Sequence, residues 1–189
     1  MMNTSLNNAE LQRKLQSELK PGEFISWAGQ PDPVRYARSA RQVWLFFIPW
    51  TAFAIFWMVA ATGFLFPSFE DPSNLFFLFG LPFVLIGVGG LSSPIWMRRR
   101  AKDIIYAVTD QRALSIEGKR NLRVTSYYPK DLGTIERIEQ PDGFGSLMLR
   151  SSAYLDADGD RRTKMQGFIA IADVRQVHRL IEELCHQVT

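Results

Sequence analysis

The sequence has one cysteine and two histidines. A single cysteine excludes an intramolecular disulfide and any metal site built from several cysteines. The histidines, His178 and His186, are eight residues apart, not the four that bring a metal-binding pair together on a helix. A nucleophile–base arrangement, a phosphate-binding glycine loop and zinc-finger spacing are also missing. The sequence therefore predicts a non-catalytic protein without a cofactor or a metal.

Lysine and arginine are absent from residues 43–97. Within this stretch, residues 43–66 and 75–97 carry no charged residue of either sign. A helix needs about 20 apolar residues to cross the core of a bilayer, and a helix of a soluble protein keeps a polar face that these runs lack. We predict two transmembrane helices at residues 43–66 and 75–97, joined by an external loop at residues 67–74.

The charges that flank the two runs indicate their orientation. Arg35, Arg38 and Arg41 precede the first run, the loop between the runs has two acidic residues and no basic one, and a basic cluster follows the second run. Basic residues are retained on the cytoplasmic side of a membrane. We predict a multi-pass protein with both termini in the cytoplasm.

The rest of the sequence predicts a small β domain. Leu11, Leu15 and Leu19 are spaced by four and indicate a helix over residues 8–19 that Pro21 ends. Alternating or β-branched segments bounded by turn residues predict seven strands, at residues 23–29, 103–109, 113–117, 122–128, 134–140, 146–152 and 165–171. An apolar stripe predicts a final amphipathic helix over residues 174–187.

Four segments occur in a characteristic order along the chain. GEFISWAGQP (22–31) precedes the apolar runs, and YAVTDQRALSIEG (106–118), SYYPKDLGTIERIEQPDGFGSLML (126–149) and GFIAIADVRQVHRLIEEL (167–184) follow them. In this order they resemble the bacterial pleckstrin-homology (PH)-like membrane proteins, over about residues 20–187. The resemblance implies an α+β membrane protein of the bacterial inner membrane. In it, a two-helix transmembrane hairpin is inserted into a PH-like β-barrel or sandwich of about seven strands capped by a C-terminal helix.

The resemblance and the charge pattern together divide the chain into consecutive parts. We expect an N-terminal cytoplasmic helix (1–22), the first PH-like strand with a juxtamembrane segment (23–42), two transmembrane helices (43–66 and 75–97) around an external loop (67–74), and the rest of the cytoplasmic PH-like domain (98–189).

Residues 109–112, Thr-Asp-Gln-Arg, are expected to form a tight turn between two strands. Threonine and aspartate side chains bond nearby backbone groups and favour such turns. Arg112 would pair either with an acidic side chain or with a membrane phosphate, and we favour the structural role.

Basic residues near the second apolar run are the candidate contacts with lipid. Each juxtamembrane lysine or arginine contributes about 1 kcal/mol near an anionic leaflet, although membrane topology alone also explains much of this charge. A nucleic-acid partner is not expected, because 13 acidic residues offset the 16 basic ones over residues 98–189. The candidate membrane-interface residues are Arg98, Arg99, Arg100, Lys102, Lys119, Arg120 and Arg123.

These observations predict an integral membrane protein whose cytoplasmic PH-like module serves interaction or scaffolding. Its partner would be another protein or a second copy of the chain. One alternative is a sensor of anionic lipid headgroups at the cytoplasmic leaflet. Another is an accessory subunit of a membrane transporter or enzyme whose active residues lie on other chains. A fold does not determine a function, so both alternatives stay open at this point.

The predicted orientation is testable by labelling a cysteine in the loop between the runs. We expect Ser68→Cys, in a Cys185→Ser background, to react with a membrane-impermeant thiol reagent in intact cells. Labelling that occurs only after the cells are lysed would contradict an external loop.

Overall fold

The computed structural model describes residues 3–4, 9–62, 78–119, 121–155 and 161–186. The predicted external loop at residues 67–74 and the candidate residue Arg120 lie outside these ranges. Contacts divide the chain into two compact units. We call the first, Met1–Tyr36 with Arg99–Thr189, the β unit, and the second, Ala37–Arg98, the helical unit.

The β unit has an α+β fold built on two sheets. In the first sheet, four antiparallel strands are extended by a two-residue strand that pairs in parallel, and the second sheet has three antiparallel strands. The order is β1 (Asn3–Thr4), β2 (Ile25–Gly29), β3 (Ile104–Thr109), β4 (Ala113–Glu117) and β5 (Arg123–Tyr127) in the first sheet, and β6 (Glu136–Glu139), β7 (Gly145–Leu155) and β8 (Arg161–Ile171) in the second.

The described helices belong to both units. They are α1 (Ala9–Ser17), α2 (Pro33–Ala37), α3 (Arg41–Ala61), α4 (Leu81–Leu91), α5 (Ser93–Ala101) and α6 (Val174–His186). The helix predicted at residues 8–19 and the final helix predicted at 174–187 agree with α1 and α6. The strand predicted from residue 23 begins two residues later, at Ile25.

Strands β2 and β3 are neighbours, although the whole helical unit separates them along the chain. They pair antiparallel, with Gly29 opposite Tyr106 and Ala28 opposite Ala107. The chain therefore leaves the first sheet at the end of β2 and returns to it beside the same strand.

Both faces of the first sheet are covered, and β3 is accordingly buried along its whole length. Side chains alternate along a strand, so Ile104, Tyr106 and Val108 belong to one buried cluster and Ile105 and Ala107 to another. Helix α1 contributes Leu11 and Leu15 to the second cluster. The first cluster is closed by residues of the second sheet and of α6: Leu147, Leu149, Phe168, Ile171, Val174, Val177 and Ile181.

Stacked aromatic rings lie at the centre of the first cluster. The ring centroids of Tyr106 and Phe168 are 4.7 Å apart, and that of Trp27 is 6.1 Å from that of Phe168. Offset aromatic pairs in this distance range add about 0.5–1.5 kcal/mol to the burial of their surface. Burial raises the pKa of the Tyr106 hydroxyl still further above the physiological range.

One continuous helical stretch, Pro33–Ala61, is long and apolar enough to cross a membrane. Its first residues belong to the β unit and the rest to the helical unit. A second qualifies if Leu78–Leu91 and Ser93–Ala101, which are bent by 41° at a break, count as one span. The segment predicted as one helix at residues 75–97 is thus divided at Ser92. Pro94 accounts for the break, because its nitrogen cannot donate the hydrogen bond that would continue α4.

Glycines bring α3 and α4 together within the helical unit. A side-chain carbon added at Gly87 would collide with Thr51, and one at Gly90 would collide with the Phe47 ring. One added at Gly89 would meet nothing within 4 Å. The contact between the two helices therefore uses the face of α4 that holds Gly87 and Gly90, as expected where small residues let helix backbones approach closely.

A buried ion pair joins the segment before β2 to the turn between β3 and β4. The Arg112 guanidinium donates from Nε to Glu23 Oε1 and from Nη2 to Glu23 Oε2, both at 2.9 Å. The Glu23 side chain is fully buried and that of Arg112 is 8% exposed. The remaining donors of Arg112 reach the Ser126 hydroxyl and the Glu18 carbonyl oxygen, each at 2.8 Å.

The carboxylate of Glu23 is stabilised in its charged form. Burial raises its pKa, but hydrogen bonds from Arg112, from the backbone N–H of Lys20 and from the Thr109 hydroxyl lower it by more, so the pKa falls from 4.5 to about 2. A carboxyl whose pKa is lower in the folded state adds stability above its unfolded pKa, and that stability is lost as the pH falls towards the folded pKa.

We expect Glu23→Gln to destabilise the β unit by about 3–5 kcal/mol, because it leaves the buried guanidinium without a counter-charge. Between pH 4.5 and about 2, the stability of the wild type should fall with pH because of this carboxyl, and the variant should lack that component. Chemical denaturation in mild detergent at a series of pH values measures both effects.

Glu136→Gln is the matched control, because Glu136 is an exposed glutamate of β6. It should change stability by less than about 0.5 kcal/mol. Equal pH profiles for Glu23→Gln and the wild type would contradict the role assigned to the ion pair.

Candidate interaction surface

The β unit has a surface groove of about 700 Å³ between residues 129–135 and helix α6. Its walls are formed by Pro129, Lys130, Leu132, Gly133, Ile135, His178, Glu182, Cys185 and His186.

One wall of the groove is the chain between the two sheets. Pro129–Asp131 form a single 3-10 turn directly after β5. The N–H of Asp131 donates to the Tyr128 carbonyl oxygen at 2.8 Å, and that of Leu132 to the Pro129 carbonyl oxygen at 3.2 Å. Leu132 and Ile135 then pack against the main core, so this wall is attached to the interior of the unit.

The other wall is one face of α6. Glu182 is four positions after His178, and Cys185 and His186 are three and four positions after Glu182, so the four residues share that face. It adjoins the buried stripe of Val174, Val177, Ile181 and Leu184. The His178 Nε2 atom lies 3.6 Å from Glu182 Oε1, and Nδ1 lies 3.3 Å from Nη1 of Arg137. These contacts fix the imidazole at the edge of the groove.

The groove has an apolar floor and a polar rim. Leu132, Ile135 and Cys185 are partly buried against the core, whereas Lys130, Glu182 and His186 are exposed. Burial raises the pKa of the Cys185 thiol, so it is protonated near neutral pH and a poor nucleophile. This arrangement suits the binding of a partner surface, because it combines an apolar contact with polar groups that set orientation.

A metal centre has no basis in the described residues. None of them form a group of three or more histidine, cysteine, aspartate or glutamate side chains able to hold a metal ion. His178 and His186 both line the groove, and Glu182 is placed between them on the helix.

The candidate membrane-interface residues fall into two neighbouring groups. Arg98, Arg99 and Arg100 are exposed in the last turn of α5, and Lys102 is exposed just after it. Lys119 and Arg123 are exposed on either side of the turn between β4 and β5.

The pairing of β3 with β4 brings part of this set together. Ile104 is opposite Glu117, and the N–H of Gly118 donates to the Asp103 carbonyl oxygen at 3.1 Å. The turn that carries Lys119 and Arg123 therefore lies at the same end of the first sheet as Lys102, the end at which the chain returns from the helical unit. The proximity of Lys102 to Lys119 and Arg123 was not evident from their positions along the chain.

Arg35, interpreted from the sequence as a topology signal, makes specific contacts within the β unit. Its guanidinium bonds Asp142 at 2.5 Å and Gln140, and lies 4.1 Å from the centre of the Phe144 ring. The Arg35 guanidinium lowers the pKa of the Asp142 carboxyl. The sequence held no signal for this cluster, because Arg35 is more than a hundred positions from the residues that it contacts.

Comparison with family models, with curated proteins and with solved structures finds no match to this chain. The class of protein defined so far is an α+β chain with one or two apolar helices of membrane-spanning length. The groove and the gathered basic residues are the features from which a function can be argued.

Proposed function

We propose that this chain is a non-catalytic membrane protein whose β unit is a PH-like interaction module, and that the groove beside α6 binds a protein partner. The groove carries the proposal, because its apolar floor of Leu132, Ile135 and Cys185 and its charged rim have the anatomy of a protein-binding surface.

The element count supports the PH-like assignment. Seven strands of four or more residues come before a C-terminal helix along the chain, and the sequence resemblance implies about seven strands capped by such a helix. Residues of β2, β3, β4, β5, β7 and β8 form one buried cluster with α6. Modules of this kind bind peptides, proteins or lipid headgroups, so the ligand is inferred from the residues of the site and not from the fold.

The pairing of β2 with β3 supports a membrane hairpin. Gly29 and Tyr106 are opposite each other in one sheet, so both ends of the intervening segment lie on the same side of any membrane that it enters. An even number of crossings satisfies this constraint. With the basic flanks of the apolar runs, it favours two crossings of the bacterial inner membrane with both termini cytoplasmic.

Reversing the charges on the groove rim tests the site. We expect the full-length double variant Lys130→Glu/Glu182→Arg, tagged, crosslinked in cells and purified in mild detergent, to lose its co-purifying partner by about tenfold or more, as for interface residues worth over 1.4 kcal/mol. The partner is another protein or a differently tagged second copy of this chain expressed beside it. Quantitative mass spectrometry of the purified samples gives the measurement.

The matched control is Arg179→Glu/Glu183→Arg, which reverses two exposed charges of α6 that do not line the groove. It should retain the partner at the wild-type level. An unchanged set of partners in the rim variant, or a strictly monomeric wild-type particle with no partner, would overturn the assignment of the groove.

A second candidate function, binding of anionic lipid headgroups, is favoured by the exposed run of Arg98, Arg99, Arg100 and Lys102. Arginine pairs with phosphate through two parallel hydrogen bonds. Lys119 and Arg123 extend the positive charge at the end of the sheet where Lys102 lies.

Native mass spectrometry of the full chain in detergent distinguishes this function. We expect Arg98→Gln/Arg99→Gln/Arg100→Gln to reduce phosphatidylglycerol adducts by about tenfold or more, on the basis of about 1 kcal/mol per charge. Neutralising Arg13, Arg175 and Arg179, which are also exposed, should have little effect. Equal retention of phosphatidylglycerol and phosphatidylcholine by the wild type would exclude headgroup recognition.

A further inference from the structure

Phe24 is the most exposed large apolar side chain in the described part of the chain, at 70%. It exceeds even the residues of the apolar helices, among which Phe53 reaches 67%. Single exposed apolar residues are common, so exposure alone does not indicate a function. A second feature of Phe24 is that hydrogen bonds hold its backbone in place.

Phe24 is held rigidly in its outward orientation. Its N–H donates to Asp110 Oδ1 at 2.9 Å, and its carbonyl oxygen accepts from the N–H of Asp110 at 3.1 Å. The preceding residue, Glu23, is fixed in the interior by Arg112. A large aromatic ring on a fixed backbone is a strong anchor for binding, because little conformational entropy is lost when it docks.

The groove opens at the same end of the β unit as Phe24. Lys20, four residues before Phe24, lies 4.9 Å from the centre of the Tyr128 ring and donates to its hydroxyl at 3.1 Å. The residue after Tyr128 is Pro129, which lines the groove. The other end of β2, at Gly29, is about 16 Å away at the rise of an extended strand.

The charges around the anchor and the groove are complementary. Asp110, which holds the backbone of Phe24, is exposed. The charged residues on the rim of the groove are exposed Lys130 and exposed Glu182. A protruding ring beside a carboxylate thus matches an apolar groove beside an ammonium group.

We propose that the Phe24 ring of one copy binds in the groove of a second copy, with Asp110 facing Lys130. This inference rests on the groove being a protein-binding site and names its occupant as another copy of this chain. Copies anchored in one membrane present identical features at the same level, so the anchor of one copy can reach the groove of its neighbour.

Because the anchor and the groove adjoin through Lys20 and Tyr128, a twofold arrangement can fill both grooves of a pair. Each copy then contributes the same surface, as in most homodimers.

The sole cysteine of the chain, Cys185, lines the groove and makes the proposal directly testable. Ser26 is exposed two residues from Phe24, so a thiol placed there leaves the Phe24 ring intact. We expect full-length Ser26→Cys in native membranes to form a covalent dimer when treated with a bismaleimide crosslinker. Ser26→Cys/Cys185→Ser should lose that dimer. Ile138→Cys, at a position of β6 that is 53% exposed, should not crosslink to Cys185.

Two outcomes would overturn the inference. One is a Ser26→Cys dimer that persists at equal yield in the Cys185→Ser background, because the two introduced thiols would then have reacted with each other. The other is the absence of a dimer although both thiols react with a monofunctional maleimide.

A variant that keeps Cys185 provides an independent measurement. Phe24→Glu should shift the full chain in detergent from dimer to monomer in sedimentation velocity, with Ile138→Glu unchanged. If Phe24→Glu stays dimeric while the Lys130→Glu/Glu182→Arg variant loses a different protein, self-association through Phe24 is wrong and the proposed function stands. If the rim variant also loses nothing, both are wrong.

Discussion

The pairing of Glu23 with Arg112 is the interaction on which this end of the β unit depends. It connects the carbonyl of Glu18, the segment before β2, the turn after β3 and Ser126 of β5 through one guanidinium. Removing two charges from water is costly, and the bidentate geometry with four of the five guanidinium donors engaged offsets that cost. The pair therefore specifies a position more than it adds net stability. The pair holds the Glu23 side chain in the interior, so the next residue, Phe24, faces outward. Tyr128, which Lys20 contacts, directly precedes Pro129 in the wall of the groove.

The sequence predicted those parts of the fold whose signals are local. Strand β4 agrees residue for residue with the predicted strand at 113–117, and the apolar stripe of α6 is buried as its spacing indicates. The ends of β7 and β8 were not predicted, since their backbone pairing continues to Leu155 opposite Arg161, through polar sequence without clear alternation. The parallel pair formed by Asn3–Thr4 has too few residues to leave any pattern. The acidic partner of Arg112 was left open, because the two residues are 89 positions apart.

The same distinction between local and distant signals applies to the candidate site. The basic residues were found from the sequence because charge is visible residue by residue. The common location of Lys102, Lys119 and Arg123 at one end of the first sheet depends on the register of β3 with β4. The groove was not predicted, because its walls come from a loop without a motif and from the polar side of an amphipathic helix. Arg35 shows the opposite case, in which a residue that fits a simple charge rule also binds Asp142 and Phe144.

The pairing of β2 with β3 also has a consequence for biosynthesis. During synthesis, the entire apolar segment is made after β2 and before β3. The nascent β2 therefore has no antiparallel neighbour during that interval. Unpaired strand edges are prone to associate with other chains. Among the described residues, the elements available to shield β2 at that stage are the short N-terminal strand, which pairs with it in parallel, and helix α1. The short N-terminal strand and α1 would thus protect the edge of β2 from other chains until β3 is made.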